Sequence, residues 1–401
     1  MSGTRTAIRS LCTTSILTAL CVLGAPAHAQ ATDTTRADTV ARPFVRGGVY
    51  DKPFLTRIGG RSVIGGYAEA QARYERVDGR REQLGFEARR FNLFANARVS
   101  DFVRLGAELE VEDGGREISL EFAAIDVRVH AAFTLRTGML LSPVGRFNLA
   151  HDSPLNEFTD RPLVSTQLLG VALSEPGIGA FGQFRAGGGG RLTYEAYATN
   201  GFHDGLILDS PDGTRVPRGA DNFEDNNTTP SFVGRVAWSA GPAWELGIST
   251  HVGPYNTSRV DGAWIDRSRQ VHIWALDAEG TLGGITASGE AAIVDVDVPE
   301  AMRGVFATRQ SGAFVDLVRP FGRGWVRTMP GSAFAFKARW DLVDFDRALA
   351  GDSRQQFGAG VNFRPTQDTV LKLDFVRGRA RDRFNNAADH AFALFSIATY
   401  F

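Results

Sequence analysis

From Ser62 to Phe401 the chain alternates apolar and polar residues in one segment after another. A period of two admits only strands whose faces meet different surroundings. Residues 102–113, FVRLGAELEVED, show the pattern: Val103, Leu105, Ala107, Leu109 and Val111 share one face, and Arg104, Gly106, Glu108, Glu110 and Glu112 the other. In 369–379, Leu371, Leu373 and Phe375 alternate with Lys372 and Asp374. Sixteen such segments can be read, at 62–76, 84–99, 102–113, 116–130, 133–141, 176–186, 190–199, 231–239, 244–253, 269–281, 284–295, 306–318, 332–343, 353–364, 369–379 and 389–401. Helical periodicity is almost absent.

The connections narrow the choice. After odd strands they tend to be long, at 142–175, 200–230, 254–268, 296–305, 344–352 and 380–388. After even strands most are tight, at Ser100-Asp101, Ala131-Ala132, 187–190, 240–243 and 365–368. A soluble sandwich or jelly roll also alternates. Strands of 9 to 16 residues, their high number and the alternating loop lengths instead predict an all-β barrel. The expected fold is a transmembrane antiparallel β-barrel of about 16 strands over 61–401, with a constriction loop after strand 5 and both termini on the periplasmic side. The stretch 319–331 is long where a turn is expected, which leaves the count open by two strands.

The first 29 residues read as a secretory signal peptide: Arg5 and Arg9, an apolar stretch, then Ala27-His28-Ala29 as the cleavage site. The apolar stretch is too short for a spanning helix, and Leu20 before Cys21 disfavours a lipoprotein signal. Both cysteines, Cys12 and Cys21, fall in this segment, so the mature chain is expected to hold no disulfide or thiolate metal site. Residues 30–60 read as a flexible, irregular N-terminal leader. Lys+Arg 44 against Asp+Glu 45 is not the balance of a nucleic-acid-binding protein. Lysine occurs only at Lys52, Lys337 and Lys372.

Residues 138–170, GMLLSPVGRFNLAHDSPLNEFTDRPLVSTQLLG, pack His151, Asp152, Asn156, Glu157, Asp160 and Arg161 among Phe147, Leu149, Leu155 and Phe158. Folding inward would bury those apolar residues and set the size and charge of a pore. An ordered external cap is the alternative.

RRFNLFANARVSDFVRLGAELE, LEFAAIDVRVHAAFTLRTGMLLSPVGRFNLAHDSPLNEFTDRPLV, GIGAFGQF and LTYEAYATNGF resemble the phosphate-selective porin O/P family of outer-membrane proteins. The resemblance runs from about residue 60 to 401 and is strongest over 86–202. It rests most specifically on Arg89-Arg90, on Gly138 with Pro143, and on Asp160-Arg161-Pro162. It implies a sixteen-stranded barrel, commonly trimeric, that passes small anions or nutrients, with selectivity carried by lumen arginines and a lysine cluster near the constriction. Alternation places Arg90, Arg98, Arg104, Arg128, Arg136, Arg339 and Lys372 on the polar faces, together with Glu108, Glu110, Glu112 and Asp126. Such mixed charge serves either as an anion-selective ladder or as a salt-bridged wall lattice. The constriction loop itself has no lysine.

Other motifs weigh less. GIGAFG at 177–182 reads as a strand whose glycines ease barrel curvature, and DNFEDNN at 221–227 as a solvated loop tip rather than a calcium site. His151 beside Asp152 is a local His–carboxylate pair within the loop, and no metal or other cofactor is expected. The Glu108–Glu112 ladder keeps an outer-membrane or exported hydrolase open, glycosidase or phospholipase, and the long loops a non-conducting surface-binding barrel. The leading reading is not an enzyme. It is a porin for passive diffusion of small hydrophilic solutes, with anions such as phosphate as its selective version, in the outer membrane of a Gram-negative-type bacterium. Its expected partners are outer-membrane lipid, the barrel-assembly machinery, small solutes and two further copies in a homotrimer. The terminal Phe401 reads as an assembly signal, and Tyr400, Trp340, Trp238 and Trp244 as interfacial girdle residues.

Overall fold

In a computed structural model of the chain, the described residues are 45–57, 61–130, 132–241 and 244–401. The signal-peptide and cysteine expectations, and most of the leader, lie outside them. Sixteen strands close into one antiparallel barrel. They are β1 (Ser62–Val77), β2 (Arg80–Arg98), β3 (Val103–Glu112), β4 (Glu117–His130), β5 (Phe133–Leu141), β6 (Ser174–Arg185), β7 (Arg191–Thr199) and β8 (Ser231–Ser239). The circuit continues through β9 (Trp244–Pro254), β12 (Gln270–Leu282), β13 (Ile285–Val296), β14 (Arg309–Phe321), β15 (Ala333–Asp344), β16 (Ser353–Arg364), β17 (Thr369–Arg381) and β18 (Ala387–Tyr400). The short β10 (Arg259–Val260) and β11 (Ala263–Trp264) form a separate hairpin in the connection between β9 and β12. Every segment expected to be a strand is one. The 319–331 irregularity is a long turn, 322–332, and adds no strand.

Closure removes the sheet edge. β1 pairs with β18 from Tyr67↔Tyr400 to Val77↔His390, and Phe401 adds backbone bonds in both directions with Gly66, at 3.0 and 3.2 Å. The Phe401 ring stacks on Phe91 with centroids 5.6 Å apart. Phe395, Ile397 and Phe401 stay exposed on the outer face of the barrel. Tyr400 corrects the girdle expectation: it has the opposite parity, is buried, and donates from its hydroxyl to Asp152 inside the barrel.

Two bulges change the parity that simple alternation would give. The β1–β2 register shifts between Glu69 and Ala70, so Arg90 pairs with Glu69, Ala88 with Ala70, and Arg89 is the extra residue. The β3–β4 register shifts at Glu108/Leu109, which leaves Glu121 as the extra residue beside Phe122, both buried. A bulge re-aims a side chain that strict alternation would turn to lipid. The Arg89-Arg90 pair sits in the middle of β2, which begins at Arg80.

The barrel interior is two-sided. Val271, Ile273 and Ala275 of β12, Ala292, Val294 and Val296 of β13, Phe314 of β14 and Val343 of β15 are inward and buried. They form one apolar core with Val164, Leu168 and Leu169 of a π-helical turn (Val164–Leu169), and with Leu206, Ile207 and Val216 from the 200–230 connection. In β12 and β13 the inner face is thus as apolar as the outer one over this stretch, a departure from the uniform wet face that alternation suggests.

Candidate functional site

Loop 142–173 leaves β5 and folds into the barrel. Its entry is set by glycines. At Gly138 (φ 128°) an added Cβ would lie 2.1 Å from the Ala123 carbonyl oxygen, and at Gly145 (φ 75°) it would lie 2.2 Å from the Glu290 carboxylate. From there the loop is tied to walls around the lumen. The Gly145 amide donates to Ser249 Oγ at 2.9 Å and the Phe147 amide to Glu290 at 3.1 Å. On the other side the Thr159 amide donates to Asp374 and the Leu163 amide to Asp341, each at 2.8 Å. Arg73 of β1 clasps Asp160 through both carboxylate oxygens, at 2.6 and 2.7 Å. Ser153 donates to Glu69 at 2.6 Å. The loop therefore crosses the interior, from β9 and β13 to β1, β15 and β17.

The chain's only three lysines are the fasteners of this crossing. Lys52, Lys337 and Lys372 are buried, and each faces a buried carboxylate: Asp152 at 2.5 Å, Asp374 in a close pair, and Glu69 at 3.8 Å. Lys337 also donates to the Glu157 carbonyl at 2.5 Å, and Lys372 to those of Ser153 at 2.8 Å and Phe158 at 3.3 Å. Buried ammonium groups persist only when paired and hydrogen-bonded, and these are. All three lysines thus stand against the loop, with their charge engaged by buried carboxylates and loop carbonyls.

Residues 45–57 lie beneath the loop. Tyr50 bonds Asp126 of β4, and burial pushes its phenol up, so it stays a donor. Lys52 joins the loop as described. Phe54, on the short α1 (Pro53–Arg57), packs 5.4 Å from Phe94 and 6.4 Å from Tyr400 and occupies the space above Gly65. With Tyr67, Asn92, Asn362, Lys372 and Asp374 buried around it, this section of the interior is filled.

The residues expected to line a pore divide into three sets. Arg136 grips Asp126 at 2.8 and 2.9 Å, and Arg339 grips Asp316 with both contacts at 2.6 Å. Arg235, which sequence reading did not single out, holds Asp277 in the same way, at 3.0 and 2.6 Å. These are bidentate wall pairs. Glu108 is held by Asn92 at 2.7 Å, Glu110 lies 3.5 Å from both Arg90 and Arg161, and Glu112 is 2.7 Å from Arg90. The carboxylate ladder is thus engaged by the wall and the loop. His151 and Asp152 do not act as a pair, since His151 bonds Glu121 and the Asn148 carbonyl while Asp152 serves Lys52 and Tyr400. Asn156 donates to the His151 carbonyl at 2.8 Å, and Glu157 accepts from Asn362 at 2.6 Å. Arg98, Arg104 and Arg128 form the second set, exposed near the 99–102 turn at the far end of β2–β4.

The third set converges. A cavity of about 530 Å³ above the loop is lined by Arg73, Arg89, Arg90, Arg161 and Arg354 with His390, against the acids Glu75 and Asp160. Arg161 reaches only Glu110, and its Nε and Nη2 hydrogen-bond nothing. Arg89 lies 3.4 Å from the half-exposed Asp113. Arg354 holds no ion pair or hydrogen bond among the described residues. A second cavity of about 810 Å³ shares Thr166, Gln167 and Arg354 with the first and is lined further by residues of the 209–218 and 381–387 stretches. Sequence reading selected Arg90 and Arg161 of this cluster. Arg73 and Arg354 lie on polar faces already visible in the alternation, whereas Arg89 is brought in by the bulge, which no period reveals.

Comparison with known proteins shows a fold and no closer assignment. No protein-family model matches the chain. An uncharacterized protein of Aquifex aeolicus (strain VF5) is 23% identical over 346 residues, covering 80% of this chain and 77% of the relative. Among solved structures, the outer membrane channel DcaP of Acinetobacter baumannii aligns with a TM-score of 0.55 at 14% identity, over 85% of this chain and 97% of that one. An anion-selective porin from Comamonas acidovorans aligns at 0.53 and 12% identity, over 85% and 99%. The chain is a sixteen-stranded β-barrel of the outer-membrane type, and its fold resembles that of known porins.

Proposed function

We propose that the protein is an outer-membrane diffusion channel for small hydrophilic solutes that favours oxyanions, with loop 142–173 as its constriction. The observation that carries this reading is the convergence of Arg73, Arg89, Arg90, Arg161 and Arg354 on one cavity at the mouth side of the loop, with Arg354 unpaired among the described residues. Guanidinium forks bind carboxylate, sulfate or phosphate oxygens through two donors at once, and a vestibule with more cations than anions concentrates such solutes. The anion-selective porin among its structural neighbours supports the same reading. Phosphate is one member of this class. A signal peptide cut after Ala29, delivery to the barrel-assembly machinery through the terminal Phe401, and a homotrimer complete the proposal.

Planar-bilayer recording of the purified full chain under a salt gradient is the test. Step-like conductance with a reversal potential favouring anions is expected, and phosphate or a small carboxylate should reduce chloride current from the mouth side. Absence of conductance steps would overturn the channel, and a cation preference would overturn the oxyanion reading alone.

A further inference from the structure

The turn at 322–332 is the long exception among the connections at the periplasmic end, and its chemistry differs from theirs. From Leu317 to Trp340 the sequence holds no Asp or Glu, while Arg319, Arg323 and Arg327 fall in or beside the turn. The Arg323 and Arg327 guanidinium groups are exposed and make no ion pair or hydrogen bond among the described residues. Arg319, on the outward parity of β14, donates only to the Gly283 carbonyl of the next turn, at 2.6 Å. Beside them lies a continuous aromatic surface. Phe321 stacks on Phe336 at 4.2 Å and on Phe334 at 5.6 Å, Phe334 stacks on Phe363 at 4.7 Å, and Trp325 meets Phe321 edge-on at 5.7 Å. These rings belong to the outward face, opposite in parity to the buried Lys337 and Arg339. Trp325 is 70% exposed, and Met329 is exposed beside it.

We propose that this turn and the adjoining face of β14–β16 bind one anionic glycerophospholipid of the inner leaflet, its phosphate diester held by Arg319, Arg323 and Arg327 and its acyl chains laid on Phe321, Phe334, Phe336 and Phe363. Tryptophan and arginine at a membrane boundary suit an amphipathic ligand with a phosphate at that depth. Charge selects among lipids. A zwitterionic headgroup brings an ammonium beside the three guanidiniums, for which the turn offers no carboxylate, whereas an anionic headgroup presents its phosphate charge with no competing cation.

The test is native mass spectrometry of the full chain purified in mild detergent and titrated with phosphatidylglycerol or phosphatidylethanolamine. One phosphatidylglycerol should be retained at least about tenfold more strongly than phosphatidylethanolamine, with each arginine near a charged headgroup contributing to the difference. The R323Q/R327Q variant should lose most of that preference while keeping the wild-type gel mobility of the folded barrel, since Arg323 and Arg327 hold no ion pair or hydrogen bond among the described residues. Equal retention of the two lipids, retention of neither, or phosphatidylglycerol undiminished in the variant would each overturn the site. Displacement of the lipid by excess inorganic phosphate would do the same, by reassigning the arginines to a soluble anion.

Discussion

The two flanks of the interior use the same strand geometry to opposite ends. On the flank of β12–β15, inward positions are Val271, Ile273, Val294, Phe314 and Val343, and the loops pack onto them as onto the core of a soluble protein. On the flank of β1, β2, β16 and β18, inward positions are Arg73, Glu75, Arg90, Arg354 and His390, and they face an open cavity. Strand parity decides which side chains point inward, and the loops then decide whether inward means dry. Each apolar side chain covered by the loops contributes roughly 25 cal/mol per Å² of surface removed from water. The loops therefore lay most of their apolar residues on the apolar flank, while the charged flank keeps a cavity beside its polar ties to the loop.

The strongest way to break this division is to make the dry flank unfit for its loop. Leu168 is fully buried in the apolar core. Leu168→Asp should cost several kcal/mol by burying an unpaired carboxylate, and the loop should detach rather than the barrel open. The expected outcome is a barrel that still migrates as folded but conducts several-fold more and loses ion preference. Wild-type conductance in that variant would show that the loop is held by its polar ties alone.

Those ties supply the next effect. Lys337→Met leaves Asp374 buried without its cation and should cost about 3–5 kcal/mol. K337M/D374L, which removes both charges, should recover most of it. Thermal unfolding of the two variants checks this. A single variant as stable as wild type would mean that the Glu157 and Thr159 contacts of these residues carry no load.

Third in size is the filled section under the loop. Deleting residues 45–57 removes Lys52 and Phe54 from beneath Asp152 and Tyr400. Single-channel conductance should rise by about two- to fivefold, in proportion to the cross-section freed, while the anion preference set above the loop persists. Unchanged conductance would place the narrow point elsewhere.

Alternation made the barrel legible because it is a local property: sixteen segments, their ends within a few residues, and the inward set of β3, β5 and β17 all follow from a period of two. The inward-folding loop was legible because 142–173 carries too many apolar residues for an exposed connection. What the sequence hid is relational. Arg136 and Arg339 read as lumen cations of either a selective ladder or a wall lattice, and only the register, which sets Asp126 and Asp316 opposite them, makes them wall pairs. Strict alternation would turn Arg89 and Glu121 outward, but a bulge shifts the frame at each, and no local pattern announces a bulge. Lys52 lies in a leader read as irregular, and its role depends on Asp152, a hundred residues further along the chain.

The smallest predicted effect separates charge that acts on solutes from charge that holds the wall. Arg354 is exposed, unpaired among the described residues and shared by both cavities. A unit charge a few ångströms from a passing ion in water contributes on the order of 1 kcal/mol, so Arg354→Gln should lower the anion-to-cation permeability ratio by about two- to fivefold. Neutralising Arg136 should instead destabilise the barrel, because Asp126 is left buried without a cation and with only the Tyr50 hydroxyl as its side-chain partner, with little change of selectivity in whatever folds. Arg98→Gln, at the far end of β2 and outside the vestibule, should change neither property. The order R354Q, then R136Q, then R98Q in selectivity, with R136Q first in lost stability, follows only if selectivity resides on the charged flank. Equal selectivity shifts for Arg354 and Arg98 would spread it over every exposed cation of the lumen and remove the special standing of the vestibule.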